Sequence, residues 1–251
     1  MCYFYAKYIS KSYGDKLIIK DISLEARQGE RVALLGASGI GKTILFHILS
    51  GLESPDKGDV FLDGQKITGK TGYFGYMQQK DLMLPYKKMI DNLALPLILK
   101  KIPKKQAYSE VKKFLLLFGL EGTEQKYPHQ LSGGMRQRAA FLRSYLFCQE
   151  HMLLDEPFSA LDAMTKRQMH EWYRKISKQM NTTSIFITHD IDEAILLADT
   201  VYIMSGRPGE ITAKFDLCAC KEERSVLSVD AFTISDAFIA YKKEILQAIS
   251  F

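Results

Sequence analysis

The chain is predicted to be an α/β protein: a mixed sheet covered by helices, with an N-terminal antiparallel β layer ahead of it and a helical subdomain insert within it. Three observations lead there. Apolar runs of strand length alternate with segments of helical spacing through most of the sequence. A glycine-rich octapeptide, Gly36-Ala37-Ser38-Gly39-Ile40-Gly41-Lys42-Thr43, sits at one strand-to-helix junction. Two strand-like runs near the N-terminus flank a turn with no helix between them. At 251 residues the chain is long enough to bury one large core, so residues 1–251 are read as a single domain.

Each element has its own signal. Residues 3–9 and 17–26 read as strands around the turn Tyr13-Gly14-Asp15-Lys16. Arg31-Val32-Ala33-Leu34-Leu35 is a buried strand, and residues 44–49 begin the helix after the octapeptide. Residues 60–64 look like an edge hairpin, and residues 73–77 like a short strand. From about residue 82 to residue 146 the strand signal fades. Within that stretch Val111, Phe114, Leu115 and Phe118 share one helical face, Gly119 offers a C-cap, and residues 136–147 form a second helical run. Strands return at 152–154, 184–188 and 201–204, and residues 232–249 read as a closing amphipathic helix. Little chain follows the last of these strands, so no sizeable regulatory domain is expected after it.

Composition narrows the function classes. The formal charge of +5 is mild: it suits an anionic ligand or a membrane-adjacent surface, and it is too weak to argue for nucleic acid. The opening residues lack a basic stretch followed by an apolar one, so no secretory signal is expected. The most apolar runs, 93–99 and 114–120, are too short to span a bilayer, so this polypeptide is not expected to form a pore itself. Cys2, Cys148, Cys218 and Cys220 suggest no disulfide framework and fit a reducing cytosol. Cys218-Ala219-Cys220 is a lone pair without a histidine cluster, which argues against zinc.

The octapeptide fits G-x-x-x-x-G-K-[ST]. Its glycines let the backbone wrap a triphosphate so that several N–H groups point at one anion, and the following helix adds the positive end of its dipole. Lys42 is expected to reach the β- and γ-phosphates, and the Thr43 hydroxyl to ligate Mg²⁺. The strand at 152–154 runs into Asp155 and Glu156. Ligands of an open parallel sheet bind beyond its carboxyl ends, so Asp155 is expected to face the Mg²⁺ near Thr43, with Glu156 placed to polarise an attacking water. His151, at the start of that strand, is read as structural. Leu131-Ser132-Gly133-Gly134-Met135 precedes a helix that Ser132 can cap, and its glycines expose the first N–H groups as a second anion-binding surface.

With LSGG ahead of a helix, the chain resembles the nucleotide-binding subunits of ATP-binding cassette (ABC) transporters, a P-loop NTPase family, over nearly its whole length. The resemblance implies ATP and Mg²⁺ as ligands and ATP hydrolysis as the activity. It places Gly36, Ala37, Ser38, Gly39, Ile40, Gly41, Lys42 and Thr43 on the phosphates and Tyr13 on the adenine. It also implies that Gln78 senses Mg²⁺ and water, with adjacent Gln79 leaving that assignment open by one residue. Ser159-Ala160-Leu161-Asp162 matches the loop that crosses the dimer interface, and His189 the histidine that contacts the γ-phosphate. The catalytic set is then Glu156, His189 and Lys42, and the metal set Thr43, Gln78 and Asp155. The resemblance further implies a head-to-tail homodimer in which Ser132, Gly133 and Gly134 close over the partner's ATP. It implies a position on the cytoplasmic face of the membrane, held there by permease subunits. An extracytoplasmic solute-binding protein takes part indirectly, and nucleic acid does not. The segment Asp81-Leu82-Met83-Leu84-Pro85-Tyr86 would receive a permease helix. Thr188-His189-Asp190 and Ser205-Gly206-Arg207-Pro208-Gly209 resemble importers of nitrate, sulfonate or taurine type, relatives of which carry thiamine-precursor pyrimidines. A soluble cassette ATPase working on nucleic acid or ribosomes is the competing expectation; it would carry a long coiled coil or a second cassette, and this sequence shows neither.

Overall fold

The computed structural model describes residues 3–217 and 220–249; Cys2 and Cys218 lie outside them. Two sheets share the chain. The strands β1 (Tyr3–Tyr13) and β2 (Lys16–Arg27) pair in antiparallel fashion around the Gly14 turn. Next come β3 (Arg31–Leu35), α1 (Lys42–Leu49), β4 (Lys57–Leu62) and β5 (Gln65–Lys66). The first sheet has the order β2-β1-β4-β5 and is antiparallel throughout.

The chain then runs through β6 (Gly75–Met77) and three helices, α2 (Met89–Leu99), α3 (Lys104–Leu115) and α4 (Gly133–Phe147). It returns to the second sheet with β7 (His151–Asp155), α5 (Ala163–Met180), β8 (Thr183–Thr188), α6 (Ile191–Leu197), β9 (Thr200–Ser205) and β10 (Glu210–Asp216). Helices α7 (Lys221–Val226), α8 (Val229–Thr233) and α9 (Asp236–Ile249) follow. The second sheet has the order β10-β9-β3-β8-β7-β6 and is parallel except for β10, so it is mixed.

Burial explains why the inner strands are uniformly apolar. Every residue of β7 and β8 is buried, as a sheet covered on both faces requires. Side chains alternate across the plane. Ala33, Leu35, Leu154 and Phe186 join a core with the helices α2 to α6 and α9. Val32, Leu34, Leu153 and Ile187 join the other core, with Leu45 and Phe46 of α1 and the antiparallel layer. His151 pairs with Thr183 across the ladder and meets the Phe74 ring edge-on, 5.8 Å between centroids. Burial pushes its imidazole pKa down, so a neutral ring fills this strand start.

Three expectations shift. A strand, β10, extends the sheet beyond residue 204; its alternating exposure is that of an edge strand with one solvated face. The closing helix is two helices: the Ser235 hydroxyl accepts the Phe238 N–H and starts a new one, letting Phe232 and Phe238 pack 5.4 Å apart. Helix α3 begins after Pro103 and ends at Leu115, with Gly119 (φ +61) closing the turn beyond it.

In the segment before α2, buried Asn92 donates to the carbonyls of Leu84, Lys87 and Lys88 and accepts the Leu84 N–H, which pins that irregular stretch to the helix. Among the described residues no helix is long and apolar enough to cross a membrane.

Candidate functional site

The glycine-rich loop leaves β3 and enters α1 through Gly41 at φ +104, a conformation that side-chain-bearing residues rarely adopt. Lys42 is buried and folds back over the loop, its ammonium donating to the carbonyls of Gly36 (2.8 Å) and Ala37 (2.7 Å). Burial pushes its pKa down, while the nearby carboxylates of Glu156 and Asp155 oppose that shift. Ala37, Ser38, Gly39 and Thr43 are exposed, and Ile40 is buried beneath the loop. The loop rests on the β9–β10 turn: a Cβ at Gly36 would collide with the Met204 carbonyl, and one at Gly209 with the Ile40 carbonyl.

Asp155 ends β7 and is buried. Burial pushes its carboxyl pKa up; the Thr43 hydroxyl, hydrogen-bonded to it, opposes this, Glu156 adds to it, and the Tyr76 hydroxyl 3.4 Å away opposes it again. A hydroxyl beside a carboxylate is a hard-oxygen donor pair. Mg²⁺ keeps most of its shell as water and phosphate oxygen and asks for one or two protein donors, so these residues fit that ion.

Glu156 turns off the strand in the left-handed region, at φ +45. Its carboxylate is met from two sides. The Gln79 amide donates to one oxygen at 2.9 Å, and His189 Nδ1 lies 3.6 Å from the other. Gln78, expected from sequence to sense Mg²⁺ and water with Gln79 as the open alternative, is exposed; of the two, Gln79 is the one that reaches Glu156. The strand β6 ends at Met77 and the chain bends at Gln79, which turns that side chain toward Glu156. The turn after Glu156 is closed by Ser159, whose hydroxyl donates to the Glu156 carbonyl at 3.0 Å. The Gln137 amide of α4 holds the same turn through the Pro157 carbonyl.

Asp162 caps α5, accepting the Thr165 N–H at 3.0 Å and its hydroxyl at 2.6 Å. Asp190 caps α6 in the same way. Lys166 bridges the two helix starts, 2.7 Å from Asp190 and 3.1 Å from buried Glu193, and His170 Nε2 lies 3.3 Å from the same Glu193 carboxylate. The sequence reading missed Tyr76, Gln137 and the Lys166–His170–Glu193 cluster. Their partners lie far along the chain or on another helix, where no local pattern marks them.

Ser132 is exposed and caps α4 through the Met135 N–H at 3.3 Å. Gly134 is buried, and a Cβ there would press on Thr165 at 3.0 Å, so the LSGG turn lies against the start of α5. Among the described residues no hydrogen bond joins Ser132, Gly133 or Gly134 to the phosphate loop of the same chain. Tyr13 stands at the β1 tip with its ring half exposed; its hydroxyl donates to Glu53 at 2.5 Å, which pushes its pKa up to about 12.

An apolar groove of about 270 Å³ opens between the end of α1, α2 and α4, lined by Leu52, Phe74, Leu95, Leu99 and Phe147 among others. Leu52 and Leu99 are largely exposed. In the neighbouring segment Leu82 and Tyr86 are exposed, whereas Met83 packs into the core.

Residues 19–159 match the family model described as "ABC transporter". The chain is 44% identical, over 191 residues, to the formylaminopyrimidine import ATP-binding protein ThiZ of Halalkalibacterium halodurans, covering 76% of this chain and 74% of that protein. It is 39% identical, over 206 residues, to the aliphatic sulfonates import ATP-binding protein SsuB of Bacillus thuringiensis subsp. konkukian, covering 82% and 81%. Its fold is similar, with a TM-score of 0.72 and 27% identity, to the dimeric post-hydrolysis structure of the ATP-binding cassette MJ0796 bound to ADP and Pi; 85% of this chain and 98% of that one are aligned.

Proposed function

The chain belongs to the ABC transporter family, and from that premise we propose that it is the ATP-hydrolysing subunit of an importer, working as one domain with a helical subdomain over about residues 82–146. The observation that carries this reading is the convergence of Gln79 and His189 on Glu156, one residue beyond the Asp155–Thr43 pair.

The residues divide the work. The loop N–H groups from Gly36 to Thr43 bind the phosphates, and Lys42 exchanges the carbonyls of Gly36 and Ala37 for the β- and γ-phosphate oxygens. Thr43 and Asp155 would hold Mg²⁺, which would supply positive charge to offset that of the phosphates. Glu156 orients the attacking water in line and Gln79 positions that carboxylate, which leaves Gln79 beside Gln78 as a candidate for the glutamine that senses Mg²⁺ and water. His189 donates to the γ-phosphate as charge builds there. Tyr13 stacks on the adenine.

One side of the γ-phosphate is still open to water within the single chain. Ser132, Gly133 and Gly134 of a second copy supply the lid, with Ser159 and Asp162 at the crossing loops, in a head-to-tail dimer. The likeness to a dimeric cassette with ADP and Pi supports this arrangement. The groove beside Leu52 and Leu99, continued by Leu82 and Tyr86, takes a short helix of a membrane permease at the cytoplasmic face. The relatives named for formylaminopyrimidine and aliphatic sulfonates support a small organic solute: a nitrate-, sulfonate- or taurine-like anion, or a thiamine-precursor pyrimidine, delivered by a solute-binding protein.

Glu156→Gln is the direct test. Nucleotide titration should give unchanged ATP affinity, and phosphate release should fall by about 10²-fold or more. Release at the unsubstituted rate would remove Glu156 from its role.

A further inference from the structure

A second cavity, of about 1000 Å³, opens at the opposite end of the parallel strands, where β3, β8 and β9 begin. Its wall includes Arg31 at the start of β3, Arg174, Lys175 and Lys178 on α5, and Arg224 on α7: five cations, against the carboxylates of Glu171 and Asp199. β3 is five residues long, so Arg31 and the phosphate loop are about 16 Å apart. This is not the nucleotide site.

The charges in the wall are unevenly matched. Asp199 serves two guanidinium groups at once: Arg31 at 2.9 Å and Arg224 at 2.7 Å. Arg224 is almost fully buried, and burial lowers its pKa to about 10. Arg174 gives one N–H to the Leu227 carbonyl at 3.1 Å. Among the described residues Arg174, Lys175 and Lys178 form no ion pair. The C-terminal end of α5 accounts for two exposed lysines. It does not account for a buried Arg224 and a half-buried Arg31 sharing one carboxylate beside a cavity that large. Guanidinium forks match phosphoryl oxygens in pairs, and lysines add point charge. Val226, Leu227 and Val229 supply an apolar flank.

The cavity also touches the far ends of two working helices. Arg224 donates to the carbonyls of Ile195 and Ala198, at the C-terminal end of α6. That helix begins at Asp190, next to His189, and α5 begins at Asp162.

We propose that this cavity is a binding site for a small soluble compound carrying two or more phosphoryl charges, and that its occupancy is felt at α6.

The test uses the full chain, saturated with ADP in EDTA so that the phosphate loop is filled, and inorganic pyrophosphate as the probe. Calorimetry should find one site per chain whose affinity falls as salt rises. Lys178→Glu, on an exposed side chain, should weaken it by about tenfold. Arg174→Ala with Lys178→Ala should weaken it further. Amide exchange in α6 should slow with pyrophosphate in the unsubstituted chain and not in these variants. Lys42→Ala should leave the pyrophosphate affinity unchanged. No heat of binding, equal binding by Lys178→Glu, or loss of binding in Lys42→Ala would overturn the proposal. So would retention on phosphatidylglycerol vesicles that pyrophosphate does not displace, because it would assign these cations to a membrane surface.

Discussion

Glu156 occupies a backbone conformation that costs a non-glycine residue on the order of 1 kcal/mol or more, and it does so where β7 meets the site. The turn behind it is over-determined by Ser159 and Gln137, so the strained residue cannot relax away. Gln79 is the partner that faces its carboxylate, and Gln78 is not. Gln79→Ala should therefore slow ATP turnover more than Gln78→Ala, by about tenfold or more between the two, in steady-state phosphate release. Equal effects would return the role to Gln78. At this scale the sequence was legible wherever a motif carries its own chemistry. Lys42, Thr43 and Asp155 lie together because β3, which leads into the phosphate loop, and β7, one strand away across β8, are parallel and end on the same side of the sheet. It was illegible where two like residues stand side by side, since Gln78-Gln79 offers the same chemistry twice and only the bend after β6 chooses.

The strand β3, the end of α6 and helix α7 are joined by charge as well as by packing. Asp199 is the hub: it accepts the Arg31 backbone N–H at 3.0 Å and the Arg31 side chain, and it faces Arg224. Burial alone would raise its pKa; Arg31, through hydrogen bonds and charge, and then Arg224 together hold it below the usual carboxylate range. The sign follows. A carboxyl with a depressed folded pKa contributes stability that is complete above its ordinary value, about 3.9, and is lost as pH falls through the folded one. Asp199→Asn should cost about 3 kcal/mol at neutral pH, because it leaves the buried Arg224 and the half-buried Arg31 without a counter-charge. The same variant should show a flatter acid limb in urea melts taken below pH ~4. A loss well under 1 kcal/mol would mean that the pair is solvated. Periodicity identified these elements, but not their joints: the break at Ser235 and the edge strand β10 depend on a single hydroxyl and on neighbours in space.

The two cores lie on either face of one sheet, yet the glycine-rich loop and the LSGG turn stay apart: the loop follows β3, whereas Ser132 caps α4 and Gly134 lies against the start of α5. Turnover should accordingly depend on collision between copies. The specific activity of the isolated chain should rise with protein concentration, and Glu156→Gln with Mg²⁺ and ATP should run as a dimer in light scattering. Mixing Ser132→Arg with Lys42→Ala should restore part of the activity that each lacks alone, since one composite site in the mixed pair then has both halves intact. Concentration-independent activity would argue for a self-sufficient monomer. The overall architecture was the most legible level, because alternation of strand and helix signals is spread over the whole chain and survives local error. Pairing order across the sheet was not legible, since β3 lies between β8 and β9, which come more than a hundred residues later.

The Arg207-Pro208-Gly209 turn entered only as a badge of ancestry, and the structure gives it a mechanical post. Its glycine is the wedge under Ile40, so the curvature of the cradle is set from below by a hairpin far downstream. A fragment ending before that hairpin would keep every recognisable motif and still lose the support that shapes its grip. Gly209→Ala should likewise weaken nucleotide capture severalfold in equilibrium titration and lower the melting point, because its methyl meets the Ile40 carbonyl.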